Sequence, residues 1–313
     1  MLEVCDLTVS IDGLAIVRRV NFLLRRGETL CLVGESGCGK SMTALALMGL
    51  LPENACILEG EVRLNDIRLT GMSERELCAV RGRQIGMIFQ EPMTSLNPVL
   101  PIGRQVMEAV LQHERISRRE ARERAVELLM SVGFPVPGER LGEYPHQLSG
   151  GLRQRVMIAM ALACSPEFLI ADEPTTALDV TIQGQILVLL KRLARERDMG
   201  MALITHDLGV VFDVADHIAV MYAGEIVEHA SHDDFFARPL HPYAQGLLAC
   251  LPDIGNPDIK RLPTIPGTVP PPAARGTGCL FRERCPRAMS RCSNPVPSVE
   301  VEQGHIVSCH IYI

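Results

Sequence analysis

The 313-residue chain has no tryptophan, and aromatic residues make up only 4 % of it. No apolar stretch approaches the ~18 residues needed to span a bilayer, so any service to a membrane is expected from outside it. Basic residues are outnumbered 31 to 37, giving a net charge of −6. That balance argues against nucleic acid as a partner, which normally requires a basic stripe. The opening residues MLEVCDLTVSIDG carry Glu3 and Asp6 and no apolar run behind a basic head, so no secretion signal is expected. Eleven cysteines are too few for a disulfide scaffold, and without a secretion signal they are expected to stay reduced. No internal repeat is visible.

What is present is ordinary globular composition, 47 % hydrophobic, at a length that suggests about two domains. Residues 4–11, 19–24, 30–33 and 61–64 read as short strands, and 30–33 is apolar throughout, as in a strand covered on both faces. A helix is expected after Ser41, stopped near Pro52, and residues 103–133 repeat at helical period. Another helix should run from Ser149 towards Pro166. The apolar runs 85–89, 168–171, 202–205 and 218–221 alternate with helices, the pattern of a parallel sheet. A turn at 222–225 leads into a strand at 226–229. Beyond residue 236 the texture becomes proline-rich, which places a domain boundary there.

Gly34-Glu35-Ser36-Gly37-Cys38-Gly39-Lys40-Ser41, followed by Met42, fits G-x-x-x-x-G-K-[ST] between a buried strand and a helix. Glycines let backbone N–H groups turn inward around phosphate oxygens, and the helix points its positive end at the same anion. Lys40 supplies charge to the terminal phosphates, and Ser41 offers a hydroxyl to Mg²⁺. The apolar strand 168–171 delivers Asp172 and Glu173 at its C-terminal edge, where ligands sit in open α/β sheets. Asp172 can hold Mg²⁺ through its water shell, and Glu173 can polarise an attacking water. Leu148-Ser149-Gly150-Gly151-Leu152 opens a helix and forms a second anion site without a lysine. One chain does not need two cradles for one nucleotide, so this one is expected to close over a nucleotide held by a partner subunit.

In order and spacing, residues 34–41, Gln90, 148–152, Asp172-Glu173, Ala177-Leu178-Asp179 and His206 resemble the Walker A, Q-loop, signature, Walker B, D-loop and switch histidine of ABC transporter ATPases. The resemblance covers residues 1–235. It implies that Gln90 senses Mg²⁺ and the lytic water and relays hydrolysis to a transmembrane subunit. It also implies that His206 contacts the γ-phosphate and Asp179 the opposing subunit. Catalytic roles thus fall to Glu173, His206 and Gln90. The implied fold is an α/β P-loop, RecA-like core with an antiparallel β subdomain and a helical subdomain inserted at about 91–163. Residues 93–102 (MTSLNPVLPI) are where a permease's coupling helix is expected to dock. Two departures stand out: Leu152 replaces a common glutamine, and Ile11 occupies the place of the aromatic that usually stacks on adenine.

Cys279, Cys285, Cys292 and Cys309 are spaced C-x5-C-x6-C-x16-C among Arg282, Arg284, Arg287 and Arg291. Four thiolates in a short proline-broken segment suit a tetrahedral metal site, and the arginines are expected to offset its charge. The long loops between ligands lean towards a [4Fe–4S] cluster, with Zn²⁺ the alternative. Residues 236–313, through RPLHPYAQGLLACLPD, GTVPPP and GCLFRERCP, resemble the C-terminal extension of dipeptide and oligopeptide importer ATPases, whose relatives also move nickel chelates. That resemblance implies a peripheral subunit on the cytoplasmic face of a bacterial inner membrane. Its partners would be a second homologous ATPase, two permease subunits and, indirectly, an external solute-binding protein. A soluble ABC ATPase of DNA repair or translation is disfavoured by the single cassette, the short cradle-to-signature interval and the acidic balance.

Overall fold

The computed structural model describes residues 1–91, 95–176, 178–251 and 263–313. Met93, Thr94 and Ala177, from the expected docking stretch and D-loop, lie outside the described residues. The first strands are β1 (Leu2–Ile11), β2 (Leu14–Leu24), β3 (Thr29–Val33), β4 (Ala55–Leu64), β5 (Ile67–Arg68), β6 (Ile85–Ile88) and β7 (Phe168–Asp172). After them come β8 (Gly200–Thr205), β9 (His217–Tyr222), β10 (Glu225–Ser231), β11 (Val299–Glu302) and β12 (His305–Val307). The helices used below are α1 (Lys40–Met48), α2 (Ile102–Leu111), α3 (Arg118–Ser131), α4 (Gly150–Ala161), α5 (Val180–Glu196), α6 (Leu208–Val214) and α7 (Pro242–Ala249). Contacts divide the chain into two compact units, 1–24 with 28–70 and 204–313, and 25–27 with 71–203.

In the first unit β2, β1, β4 and β5 form an antiparallel sheet in that order. Asp12 and Gly13 close the β1–β2 hairpin with φ of 49° and 78°, the left-handed pair that a two-residue hairpin turn demands. β2 begins at Leu14, earlier than the apolar pattern suggests. Asp6 and Arg19 adopt φ of 47° and 43°, the register of the pair shifts beside them, and the inward–outward alternation breaks. Ile11 ends β1, half-buried. The all-buried β3 pairs in parallel with β9, Leu30 opposite His217 and Val33 opposite Val220. β9 then pairs antiparallel with β10, so the parallel sheet has an antiparallel margin. α1 stops at Gly49 (φ 62°), whose N–H and that of Leu50 close onto Ala46 and Leu45 before Pro52 is reached.

The tail joins the same margin. β12 pairs with β10, Glu228 opposite Val307, and β11 pairs with β12. Leu240, Val307 and Cys309 bury together under Val301, Ile311 and Tyr312. Beneath them Glu228, fully buried, accepts hydrogen bonds from Leu240 N–H (2.8 Å) and His241 N–H (2.6 Å) and pairs with His305 Nε2 (2.9 Å). A buried carboxylate persists only when its lone pairs are met, and here two amides and an imidazole meet them.

In the second unit β6 and β7 pair in parallel, Ile85 with Phe168 and Ile88 with Ala171, every residue buried. The helical run expected over 103–133 is two helices. Ser117 caps α3, accepting from Glu120 N–H (3.2 Å), while the Glu120 side chain reaches back to Ser117 N–H (2.7 Å). That capping box starts a new helix where period alone suggests continuity.

Candidate functional site

Strand β3 ends at Val33 and the chain turns through residues 34–39 into α1. A Cβ on Gly34 would lie 2.1 Å from the Met221 carbonyl oxygen, so only glycine lets the loop leave the strand there. Gly39 is the helix N-cap at φ 108°, a conformation that leaves the first N–H groups of α1 pointing into the loop. Lys40 is 4 % exposed, and its Nζ donates to the carbonyls of Gly34 (2.8 Å) and Glu35 (3.0 Å). The ammonium is thus folded into the mouth of the loop. Cys38 is buried beside it, and burial pushes its thiol pKa up, leaving it an apolar filler. Ser36 and Gly37 are exposed, while Ser41 and Met42 are half-buried at the start of α1. In the same unit Ile204 and Thr205, the end of β8, lead to an exposed His206. Its backbone is fixed by Asp207, whose N–H donates to Thr205 Oγ1 (3.1 Å) and whose carboxylate caps α6 at Gly209 N–H (2.8 Å).

In the second unit β7 ends at Asp172, 4 % exposed, and Glu173 adopts φ 43°. A glutamate in the left-handed region is uncommon and is retained where a side chain must be aimed. The Glu173 carboxylate is aimed and held: Oε2 accepts from Gln90 Nε2 (3.2 Å) and Thr176 Oγ1 (2.9 Å). The structure therefore brings Gln90 and Glu173 together from positions 83 residues apart. Thr176 is a member that sequence reasoning missed, since a threonine in a turn carries no signal of its own.

Leu148 is buried, and Ser149 and Gly150 are exposed at the N-terminus of α4. Ser149 is the N-cap, its Oγ accepting from Leu152 N–H (3.4 Å). A Cβ at Gly151 would lie 2.9 Å from Ile182 Cγ2, and one at Gly150 3.3 Å from Leu178 Cδ2. The paired glycines thus serve packing of α4 against Leu178 and the first turn of α5, besides clearing the helix end. Asp179 caps α5 by accepting from Ile182 N–H (3.0 Å), a structural duty in addition to any contact with a second subunit.

The tail requires one correction. Among the described residues, no group of three or more histidine, cysteine, aspartate or glutamate side chains is arranged to hold a metal ion. Cys279, Cys285, Cys292 and Cys309 are all free cysteines. They are near enough that the other three add to the rise of the Cys279 pKa, which burial chiefly drives to about 11. Burial also raises the thiol pKa of Cys285 and Cys309, and Cys309 packs in the apolar cluster with Leu240 and Val307. The correction concerns Arg284, which does not serve to offset thiolate charge. Its guanidinium lies on the Glu35 carboxylate, Nη1 to Oε1 at 2.9 Å and Nη2 to Oε2 at 3.2 Å. Tyr243 Oη accepts from Glu35 N–H (2.9 Å). Neither contact is legible in the sequence, because 208 and 249 residues separate the partners.

Comparison with known proteins matches residues 17–176 to the ABC transporter family and residues 227–292 to the oligopeptide/dipeptide transporter C-terminal region. The chain is 52 % identical to the oligopeptide transport ATP-binding protein AppD of Bacillus subtilis, over 97 % of this chain and 91 % of that protein. It is 49 % identical to the oligopeptide transport ATP-binding protein OppD of Salmonella typhimurium, over 99 % of this chain and 93 % of that one. The dimeric structure of the ATP-binding cassette MJ0796 bound to ADP and Pi superposes with a TM-score of 0.66 at 30 % identity, covering 74 % of this chain and 99 % of that one. The glycine loop with its inward lysine and the carboxylate held by Gln90 are thus parts of a cassette fold. The chain belongs to the ABC transporter family, as an ATP-hydrolysing subunit that carries the oligopeptide/dipeptide transporter C-terminal region.

Proposed function

We propose that this chain powers the import of di- or oligopeptides across a bacterial plasma membrane, working as a peripheral subunit on its cytoplasmic face. The observation that carries the cargo is the C-terminal region: residues 227–292 match the oligopeptide/dipeptide type, and the relatives named for oligopeptide and dipeptide transport align over 94–99 % of the chain. No helix among the described residues is long and apolar enough to cross a membrane, so the translocation path belongs to permease subunits. We assign two such subunits, a second homologous ATPase and an external solute-binding protein to the complex.

Residues 34–42 take the polyphosphate, with backbone N–H groups and Lys40 neutralising charge that grows on the γ-phosphoryl group in the transition state. Mg²⁺ is assigned to Ser41, Asp172 and Gln90, and supplies charge neutralisation of the phosphates when bound. Glu173 accepts a proton from the attacking water, and the Gln90 and Thr176 hydrogen bonds hold its carboxylate in one orientation for that transfer. His206 contacts the γ-phosphate. Leu148, Ser149, Gly150 and Gly151 close on nucleotide held by the neighbouring ATPase subunit, and Asp179 meets that neighbour. The products are ADP and phosphate.

The test is a paired assay in the assembled transporter. Glu173→Gln retains ATP binding but lowers ATP turnover and peptide uptake by about 10²–10⁴-fold, the usual worth of a general base. Retained turnover removes Glu173 from the chemistry; intact turnover without peptide uptake, in the unaltered complex, removes the peptide assignment. For the four tail cysteines we propose a [4Fe–4S] cluster, with Zn²⁺ as alternative. The support is the C-x5-C-x6-C-x16-C spacing. Stoichiometric iron and sulfide in protein purified without oxygen favour the cluster; stoichiometric zinc favours the alternative.

A further inference from the structure

The phosphate loop contains an acid. Glu35 is its second residue, and a carboxylate beside a polyphosphate site raises the electrostatic cost of bringing in an anion. The structure deals with this charge from the C-terminal extension. Arg284 makes a two-pronged ion pair with Glu35, and its side chain is only 6 % exposed against 30 % for Glu35. The remaining donor capacity is also met: Nε donates to Pro266 O (2.7 Å), Nη2 to Ile265 O (3.3 Å) and Nη1 to Tyr222 Oη (3.4 Å). The guanidinium carbon lies 5.7 Å from the Tyr222 ring centroid and 5.8 Å from that of Phe281. A planar fork locked on this many partners is a built contact, unlike a mobile surface pair.

A second tie lands on the same residue. The fully buried Tyr243, in α7, receives the Glu35 N–H, while the Glu35 carbonyl receives the Lys40 ammonium. Tyr222, Tyr243 and Phe281 pack as one aromatic group with centroids 4.7–5.3 Å apart. Glu35 is therefore gripped at its amide and its carboxylate by residues of the extension, on one side, and touches the nucleotide-binding lysine on the other.

We propose that Arg284, with Tyr243, is a positioning residue for the phosphate loop: it neutralises and orients Glu35 so that the loop accepts the polyphosphate of ATP. The C-terminal extension thereby sets nucleotide affinity as a direct partner of the loop, independently of any metal it carries. The inference rests on reading residues 34–41 as the phosphate loop.

The experiment measures ADP and ATP dissociation constants of the full-length chain, and KM and kcat of the assembled transporter. The variants are Arg284→Gln, Glu35→Gln, the double variant and Lys40→Ala. Arg284→Gln is expected to raise Kd and KM about tenfold while kcat changes less than twofold, because the loss falls on binding. In the Glu35→Gln background the same Arg284→Gln change should raise Kd less than twofold, since the acid that needed neutralising is gone. Should Arg284→Gln fold poorly, Arg284→Lys, which keeps the charge and loses the fork, takes its place with an expected two- to threefold rise that Glu35→Gln again abolishes. An unchanged Kd in the folded Arg284 variant overturns the proposal. So does an equal loss in both backgrounds, which marks a merely structural arginine. A Lys40→Ala chain that binds nucleotide as the unaltered chain does overturns the phosphate-loop reading itself, and the proposal with it.

Discussion

Residues in this molecule repeatedly serve two masters, and the histidines show how burial decides which. His206 is exposed just after β8. His241 is 1 % exposed, and burial lowers its pKa to about 3. Its Nδ1 accepts from Tyr243 N–H (3.0 Å), capping α7, a duty only the neutral ring can perform. The unfolded chain binds a proton near pH 6.5 that the folded chain refuses until about pH 3. Stability is therefore lost as pH falls through 6.5, by up to about 1.4 kcal/mol per pH unit. The neighbouring Glu228, raised mainly by burial, acts in the opposite sense, because its folded form takes up a proton first on acidification. His241→Asn keeps an acceptor for the cap and removes the proton, leaving Glu228 in place. Urea midpoints of the two proteins should diverge between pH 7 and pH 5, the unaltered chain losing more. Parallel curves would show that His241 is not what acid attacks.

Elements were legible in the sequence where one physical cause dominates them. β3 and β7 announce themselves as unbroken apolar runs because both faces are covered, and α1 because a glycine loop precedes it. Thus the glycine loop before α1, the acid pair Asp172-Glu173 after β7 and the Ser149 helix start could be placed from residue order alone. What stayed hidden depends on long-range partners. The bulges at Asp6 and Arg19 erase the alternation of the first hairpin, and the hairpin of β11 and β12 has too few residues for a pattern. That last hairpin is a sheet extension secured by Glu228, whose acceptors meet Leu240, His241 and His305 at once. Glu228→Ala strands two buried amides and an imidazole. A cost of about 3–5 kcal/mol is expected, since a buried partner is removed without its mate. Hydrogen exchange over residues 299–307 should rise with it, while residues 85–88 keep their protection. A small shift in melting temperature with an unaltered hairpin would mean that water replaces the carboxylate without penalty.

At the scale of the whole molecule, the described residues include a glycine loop with a buried lysine at 34–41 and, at 148–152, a helix start with paired glycines and no lysine. Ser149 and Gly150 are exposed at the start of a twelve-residue helix, the geometry that receives an anion from outside. If that cradle serves nucleotide bound by another subunit, damage to it must separate binding from turnover. Ser149→Arg places a long side chain across the helix end and leaves the sequence of residues 34–41 unchanged. Nucleotide affinity of the isolated chain should stay within twofold, while ATP turnover of the assembled transporter should fall by more than tenfold. Lys40→Ala, in contrast, should remove both. The division is diagnostic because it depends on which chain supplies which group. Equal loss of affinity in the isolated chain for both variants would put Ser149 on the chain's own nucleotide, and with it dissolve the reason for two ATPase subunits to close on one another.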